Sequence, residues 1–255
     1  RRGGLTAAPL EACDDTAGGS SLVRRHPPSA VPRPSSRTLI VKTQVAERWN
    51  GVLPTTEWLA SREPLLAGVT AAALRRVNVP FTWVWTTAPE LREQVVAMAE
   101  RVFPAAVVVS SGEVPSVAAI GDGHYLTIRL DSDDAILPSA IDALSELWLD
   151  RGWMVDWPKG WMLDWATGRM AEREWPWRRQ SPFLALTHER RETVLDLCRD
   201  HSVAREGRLR RVVMERSWMQ TIHGGNQMNK WRGAEPVDDD TRKRVLAAYG
   251  IEDVW

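Results

Sequence analysis

Cysteine is scarce in this chain of 255 residues: there are two, Cys13 and Cys198, far apart and matching no metal-ligand spacing. That excludes a cysteine metal centre and suits a reducing compartment without excluding others. A surplus of charge is also lacking, since Lys plus Arg and Asp plus Glu both number 33. No overall basic field is present to drive nonspecific nucleic-acid binding, so nucleic acid is not an expected partner. No apolar run approaches the ~20 residues of a membrane span. The expectation is a soluble, cytoplasmic protein without a transmembrane segment. No signal peptide is recognisable, although a chain that starts at Arg1 leaves room for one that was removed.

Apolar residues are also sparse before residue 38, where Gly, Ser, Pro and Arg prevail. Residues 1–37 read as a flexible tail and 38–255 as a single domain. Thr38 to Thr43 is a short apolar run of the kind that forms a buried first strand. A loop with Arg48 and Trp49 follows, and a helix pattern runs from Pro64 until just before Pro80. Phe81 to Trp85 reads as a second strand, Ala88-Pro89-Glu90 opens a helix through Arg101, and Ala105 to Val109 reads as a third strand. Strand and helix alternate, which predicts an α/β fold with a largely parallel sheet flanked by helices.

The fourth strand, Tyr125 to Leu130, delivers Asp131-Ser132-Asp133-Asp134, and a helix pattern covers Ala135 to Asp150, ending near Gly152. Three carboxylates crowding one strand end repel unless a positive charge sits among them, and hard oxygen ligands select Mg2+ or Mn2+. Such a cation can hold a diphosphate outside the carboxyl end of a strand, where open α/β sheets bind ligands. The plainer reading is that Asp133 or Asp134 caps the following helix, with Pro138 in its first turn. A cap needs one acid, and this run has three.

Beyond Gly152 the chain writes Trp153-Met154-Val155-Asp156-Trp157, then Pro158-Lys159-Gly160, then Trp161-Met162-Leu163-Asp164-Trp165. Folded as an added β-hairpin, one face would carry the tryptophans and the other both Asp residues. The tryptophan layer is either core or a platform for stacking on sugars. Ser181 to Thr187 reads as another strand leading into His188-Glu189-Arg190-Arg191-Glu192, either a place for a catalytic base or a solvated turn. Val194 to Cys198 and Val203 to Arg210 frame a loop with His201. Trp218 to Ile222 delivers His223 to a Gly224-Gly225-Asn226 turn, where an imidazole is structural or reaches a phosphate or metal. A short helix from Asp239 to Tyr249 closes the chain.

Three blocks, Arg129-Leu130-Asp131-Ser132-Asp133-Asp134-Ala135, Ser181-Pro182-Phe183-Leu184-Ala185-Leu186 and Trp218-Met219-Gln220-Thr221-Ile222-His223-Gly224-Gly225-Asn226, make the stretch from Thr38 to Arg232 resemble the rhamnosyltransferase family related to family 2 glycosyltransferases. The resemblance implies a GT-A-like fold that binds a nucleotide-sugar donor and uses Mn2+ or Mg2+. It implies a hexosyltransferase-like enzyme that passes the sugar to a carbohydrate or other hydroxyl acceptor, with inversion if a single displacement operates. It places Asp133 on the metal and Asp131 at the donor, with Asp134 kept as a further partner. Asp131 is also expected on the metal, Thr43 and Arg129 on the donor, and His223 on the diphosphate or its metal from the C-terminal side. Glu189 is the first choice of base, with Asp164 and His188 behind it. Thr86-Thr87 stand where many relatives have an acidic residue near the base of the nucleotide. Two other classes stay open: a noncatalytic tryptophan-rich carbohydrate-binding module, and a metal-dependent phosphatase, in which the acidic motif usually follows the first strand.

Overall fold

The computed structural model describes residues 37–121, 123–146, 153–175, 183–191, 208–211, 216–224, 231 and 234–255, within a unit that runs from Pro34 to Trp255. The expectations for the tail before Arg37, and for Cys13, Gly152, Ser181, Pro182, Cys198, His201, Gly225 and Asn226, lie outside the described residues. In chain order the elements are β1 (Arg37–Ala46), α1 (Thr56–Leu65), α2 (Ala72–Leu74), β2 (Thr82–Thr87), α3 (Arg92–Val102), β3 (Val107–Ser110), α4 (Val117–Ile120), β4 (His124–Asp131), β5 (Ala135–Ile136), α5 (Pro138–Glu146), β6 (Trp153–Asp156), β7 (Lys159–Asp164), β8 (Met170–Glu174), β9 (Leu184–His188), β10 (Arg208–Arg211), β11 (Trp218–Ile222) and α6 (Asp239–Tyr249).

Seven strands form the main sheet in the order β10-β6-β9-β4-β1-β2-β3. β1 pairs in parallel with β2 and β4, and β2 with β3. β1 is buried on both faces, with Leu39 and Val41 on one and Ile40 and Lys42 on the other, which is why its sequence is a continuous apolar run rather than an alternation. The larger core lies on the Leu39–Val41 face, where Trp83 and Trp85 of β2 meet edge to face at 5.0 Å and Val95, Met98, Ala99 and Val102 of α3 pack down onto them. The molecule is therefore an α/β protein with a largely parallel central sheet flanked by helices, as its alternating pattern predicts.

A second sheet, β5-β11-β7-β8, stands beside the first. Its join to the main core is Trp218 of β11, fully buried, stacked on Phe183 at 4.6 Å and donating its indole N–H to the Trp157 carbonyl at 2.7 Å. Helix α6 lays Val245, Leu246 and Tyr249 into the second cluster. Asp238 caps its start, accepting from the Thr241 N–H at 2.7 Å, and Gly250 in a left-handed conformation ends it.

Several expectations are corrected. The helix before β2 begins at Thr56, not at Pro64, because Thr55 caps it with a hydroxyl that accepts from the Trp58 N–H; Pro64 lies inside, and a π-helical stretch, Leu66–Ala71, continues it. The helix expected from Ala135 starts at Pro138, because Ala135 and Ile136 pair with Met219 and Trp218 as β5. The hairpin expected between Trp153 and Trp165 is absent. β6 joins the main sheet and β7 the second, and the added hairpin is β7 with β8. A near repeat about Pro158 satisfies a hairpin pattern locally, but burial of Trp157 in the main core directs the two strands into different sheets.

Gly160 lies opposite Trp218 in the β7–β11 ladder, and a Cβ built on it would overlap the indole of that residue. Gly160→Ala is expected to destabilise the fold by about 1–3 kcal/mol or more, since an overpacked ring has no rotamer to escape into. Urea unfolding measures it; a midpoint equal to wild type would show that Trp218 does not fill this space.

Candidate functional site

The order of the first four strands decides where a ligand can bind. The chain moves from β1 outward through β2 to β3, then returns to the other side of β1 as β4. The strand order reverses at that step, so the connections leaving β1 and β4 part and open a crevice at their carboxyl ends. Gln44 near the end of β1 pairs in register with Asp131 at the end of β4. The acidic run lies at this switch point.

The three carboxylates part company there. Asp131 is the most exposed, and the Arg129 guanidinium reaches its two oxygens at 3.1 and 3.5 Å. Asp133 is buried and has two partners at Oδ2, Arg62 Nη1 from α1 at 3.2 Å and His223 Nε2 at 2.9 Å. Arg62 Nη1 also touches His223 Nε2, and its guanidinium lies 4.9 Å over the Trp58 ring one helical turn back. Asp134 turns into the interior, where Oδ1 accepts from the Thr221 N–H at 2.8 Å. Burial first, then the charges of Asp133 and Asp131, push the Asp134 carboxyl well above its ordinary value, against partial relief from Thr221 and Arg129.

Thr221 binds this turn twice, because its hydroxyl also donates to the Asp133 carbonyl. Thr70, on the π-helical stretch, donates its hydroxyl to the Asp134 carbonyl at 2.9 Å. β11 and the α1 segment thus converge on the acidic turn, and His223, two residues beyond Thr221, meets Asp133.

The other expected residues fall elsewhere. β9 runs antiparallel to β4, with His188 opposite Tyr125, so the end of β9 lies at the start of β4. His124 and Asp131 are seven strand steps apart, on the order of 23 Å. His188 and Glu189 thus stand at the opposite edge of the sheet from the acidic cluster, and neither is placed to serve as base there. Strand content is legible in the sequence but strand direction is not, so the sequence does not place this pair at the edge opposite the acidic cluster. His188 is buried and sits between the Thr127 hydroxyl at 2.7 Å and the Arg190 carbonyl at 2.8 Å; burial lowers its pKa to about 4, so the imidazole is neutral. Glu189 lies 3.6 Å from His124 Nδ1. Thr43 is a core residue, fully buried with its hydroxyl accepting from the Trp83 indole at 2.8 Å, and does not face a donor.

Asp164 ends β7 opposite Ile222 of β11, next to His223 in sequence, and so lies on the side of the cluster. Burial raises its pKa, but hydrogen bonds from Arg169, Thr167 and the Ala166 N–H together hold it below the ordinary carboxylate range. It pins the turn between β7 and β8 and is a poor proton acceptor.

Among the described residues no three His, Cys, Asp or Glu side chains gather as a metal cage. The Asp133 carboxylate suits a hard divalent cation, while the His223 imidazole does not select one, and a cation already touches both: the guanidinium nitrogen of Arg62. Sites for Mg2+ commonly use one or two carboxylates and take their remaining ligands from substrate phosphate and water. Asp131 and Asp133 fit a site of that kind only with Arg62 displaced from Asp133. Arg62 is the member that the sequence did not reveal. Its one local signal is Trp58 four residues earlier, at cation–π spacing on a helix.

Fold and site together define an α/β protein with a charged switch-point crevice. No family model and no curated protein matches the chain. Among solved structures it is similar to the glycosyltransferase GlyE of Streptococcus pneumoniae, with 11% identity, a TM-score of 0.40, and coverage of 86% of this chain and 62% of that one. It is similar to the inositol-1-phosphate CTP transferase of T. maritima at 9% identity and a TM-score of 0.39, covering 82% and 95% of the two chains. A third likeness, at 10% identity and a TM-score of 0.37, is to 4-diphosphocytidyl-2C-methyl-D-erythritol synthase of Anaerococcus prevotii, covering 69% and 87%. Likenesses this weak carry no argument about activity.

The folded pKa of Asp134 lies above its unfolded value, so the unfolded chain binds fewer protons between the two, and stability falls as pH rises through that window. Asp134→Asn keeps the oxygen that accepts from Thr221 and removes the titration. Its stability relative to wild type should therefore rise as pH increases above the ordinary carboxylate range in urea unfolding; parallel profiles for the two proteins would contradict a raised Asp134 pKa.

Proposed function

We propose that this protein is a glycosyltransferase with a GT-A-like fold that moves a sugar from a nucleoside-diphosphate donor to an acceptor hydroxyl. The observation that carries this reading is the gathering of Asp131, Asp133, Arg62, Arg129 and His223 at the β1–β4 switch point. Supporting it is the resemblance of three sequence blocks, two of which, around Asp131 and around His223, meet in space at Thr221 and Asp134.

In transfer, negative charge develops on the diphosphate as the sugar leaves, and preorganised positive groups at that spot lower the barrier. A divalent cation at Asp133, with Asp131 and His223, would supply charge neutralisation to the leaving group. Arg62 and Arg129 add fixed guanidinium forks whose geometry suits phosphate oxygens. At the end of β7, Asp164 is already committed to Arg169 and serves better to hold its turn than to take the acceptor proton.

Among the described residues Trp157, Trp161 and Trp218 are buried, which takes these three from the stacking face that a carbohydrate-binding module would need. Rhamnose as the sugar rests on the resemblance alone.

Transfer should fall by about a hundredfold or more in Asp133→Asn, a loss of the size seen when one preorganised electrostatic partner is removed. Glu189→Gln, at the far edge, should keep wild-type turnover. Screening nucleotide sugars by thermal stabilisation, then assaying transfer with the one that binds, checks both. Full activity in Asp133→Asn, or loss in Glu189→Gln, would move the site away from the switch point.

A further inference from the structure

Arg62 presents a conflict that the transferase reading must resolve. Its Nη1 lies against both groups to which a divalent cation would bind, Asp133 Oδ2 at 3.2 Å and His223 Nε2. The side chains of Arg62, Asp133 and His223 are 12%, 7% and 11% exposed, so water screens little of the charge between them. A guanidinium and a divalent cation cannot share one carboxylate oxygen in such a place, because like charges a few ångströms apart repel strongly where the dielectric is low. Either Arg62 leaves or the cation stays out.

The ion pairs at the site show what draws Arg62 away. Asp133 is paired with Arg62, and Asp131 with Arg129. A cation that arrives alone must separate Arg62 from Asp133 and offers the guanidinium no anion in exchange. A cation that arrives with a diphosphate brings that anion with it. Arg62 then exchanges one anion for another, Asp133 for phosphate, and its fork fits phosphate at least as well. The Trp58 ring, 4.9 Å from the guanidinium, keeps the side chain within the site during the exchange.

We infer that Arg62 is a displaceable cation: it closes the Asp133–His223 pair in the free protein and yields that pair only when a nucleoside diphosphate offers it a second anion. Divalent cation and nucleotide therefore bind cooperatively, and Arg62 is the positioning residue that couples them. The inference rests on the transferase reading for its ligand and extends it to the order of assembly.

Isothermal titration with the full chain tests it. Mn2+ is titrated into wild type and Arg62→Gln at one pH near neutrality, alone and with uridine, guanosine or thymidine diphosphate; each nucleotide is then titrated with and without Mn2+. Wild type should bind Mn2+ weakly alone and about tenfold or more tighter with the matching nucleotide, and by linkage the nucleotide should gain by the same factor. Arg62→Gln should bind Mn2+ alone about tenfold tighter than wild type, since a competing charge is gone, and lose most of the coupling. Arg62→Lys, which keeps the charge, should bind Mn2+ alone as weakly as wild type. Equal Mn2+ affinity in wild type and Arg62→Gln, or a wild type whose Mn2+ affinity ignores every nucleotide that binds, overturns the inference and leaves the transferase reading standing. If no nucleoside diphosphate binds wild type with or without Mn2+, the transferase reading fails and the coupling with it. If Arg62→Gln does not fold, Arg62→Met, which keeps the length of the side chain and removes its charge, serves for the same comparison.

Discussion

The acidic edge is held together by the two hydrogen bonds that Thr221 makes to one turn, from its N–H to the Asp134 carboxyl and from its hydroxyl to the Asp133 carbonyl. Those bonds fasten β11 of the second sheet to the end of β4 in the first. The first needs a carboxyl oxygen inside the protein, and Asp134 provides one whose burial raises its pKa. Without them His223 would have no reason to face Asp133. The second sheet is thereby more than a covering layer: it completes the crevice that the first sheet opens.

Charge is distributed around that turn with little excess. Each ionised carboxylate has its own guanidinium, Asp131 with Arg129 and Asp133 with Arg62. Buried or half-buried ion pairs of this kind contribute little to net stability, because desolvation offsets most of their attraction. Their clustering at a strand end suits the ligand-binding role proposed for this edge. The opposite edge offers a contrast. There His188 is buried, neutral and stacked near Tyr125 at 5.4 Å, which is what a structural histidine looks like.

Much of the first half was legible in the sequence because its strands are apolar runs between Pro- and Gly-marked breaks. β1, β2 and β4 fall within a few residues of their expected bounds, and α6 matches Asp239–Tyr249. The acidic run at the end of β4 was legible for the same reason. What the sequence could not show was direction and partnership. β9 reads as a strand whichever way it runs, and its reversal takes Glu189 and His188 from the site. Period two holds on either side of Pro158, yet Trp157 belongs to one core and Trp161 to another. Arg62 is separated from Asp133 by 71 residues and from His223 by 161, and no local pattern reports contacts of that range.

The central claim is that the ligand sits at the β1–β4 switch point and that the far edge of the sheet is structural. Backbone amide NMR with a nucleoside diphosphate and Mg2+, which avoids paramagnetic broadening, tests it directly. The signals of Gln44, Asp131, Asp133, Thr221 and His223 should shift together on titration, while those of His124, Tyr125, His188 and Glu189, on the order of 20 Å away along β4, stay in place. Shifts confined to His124, His188 and Glu189, with the acidic turn unmoved, would contradict it.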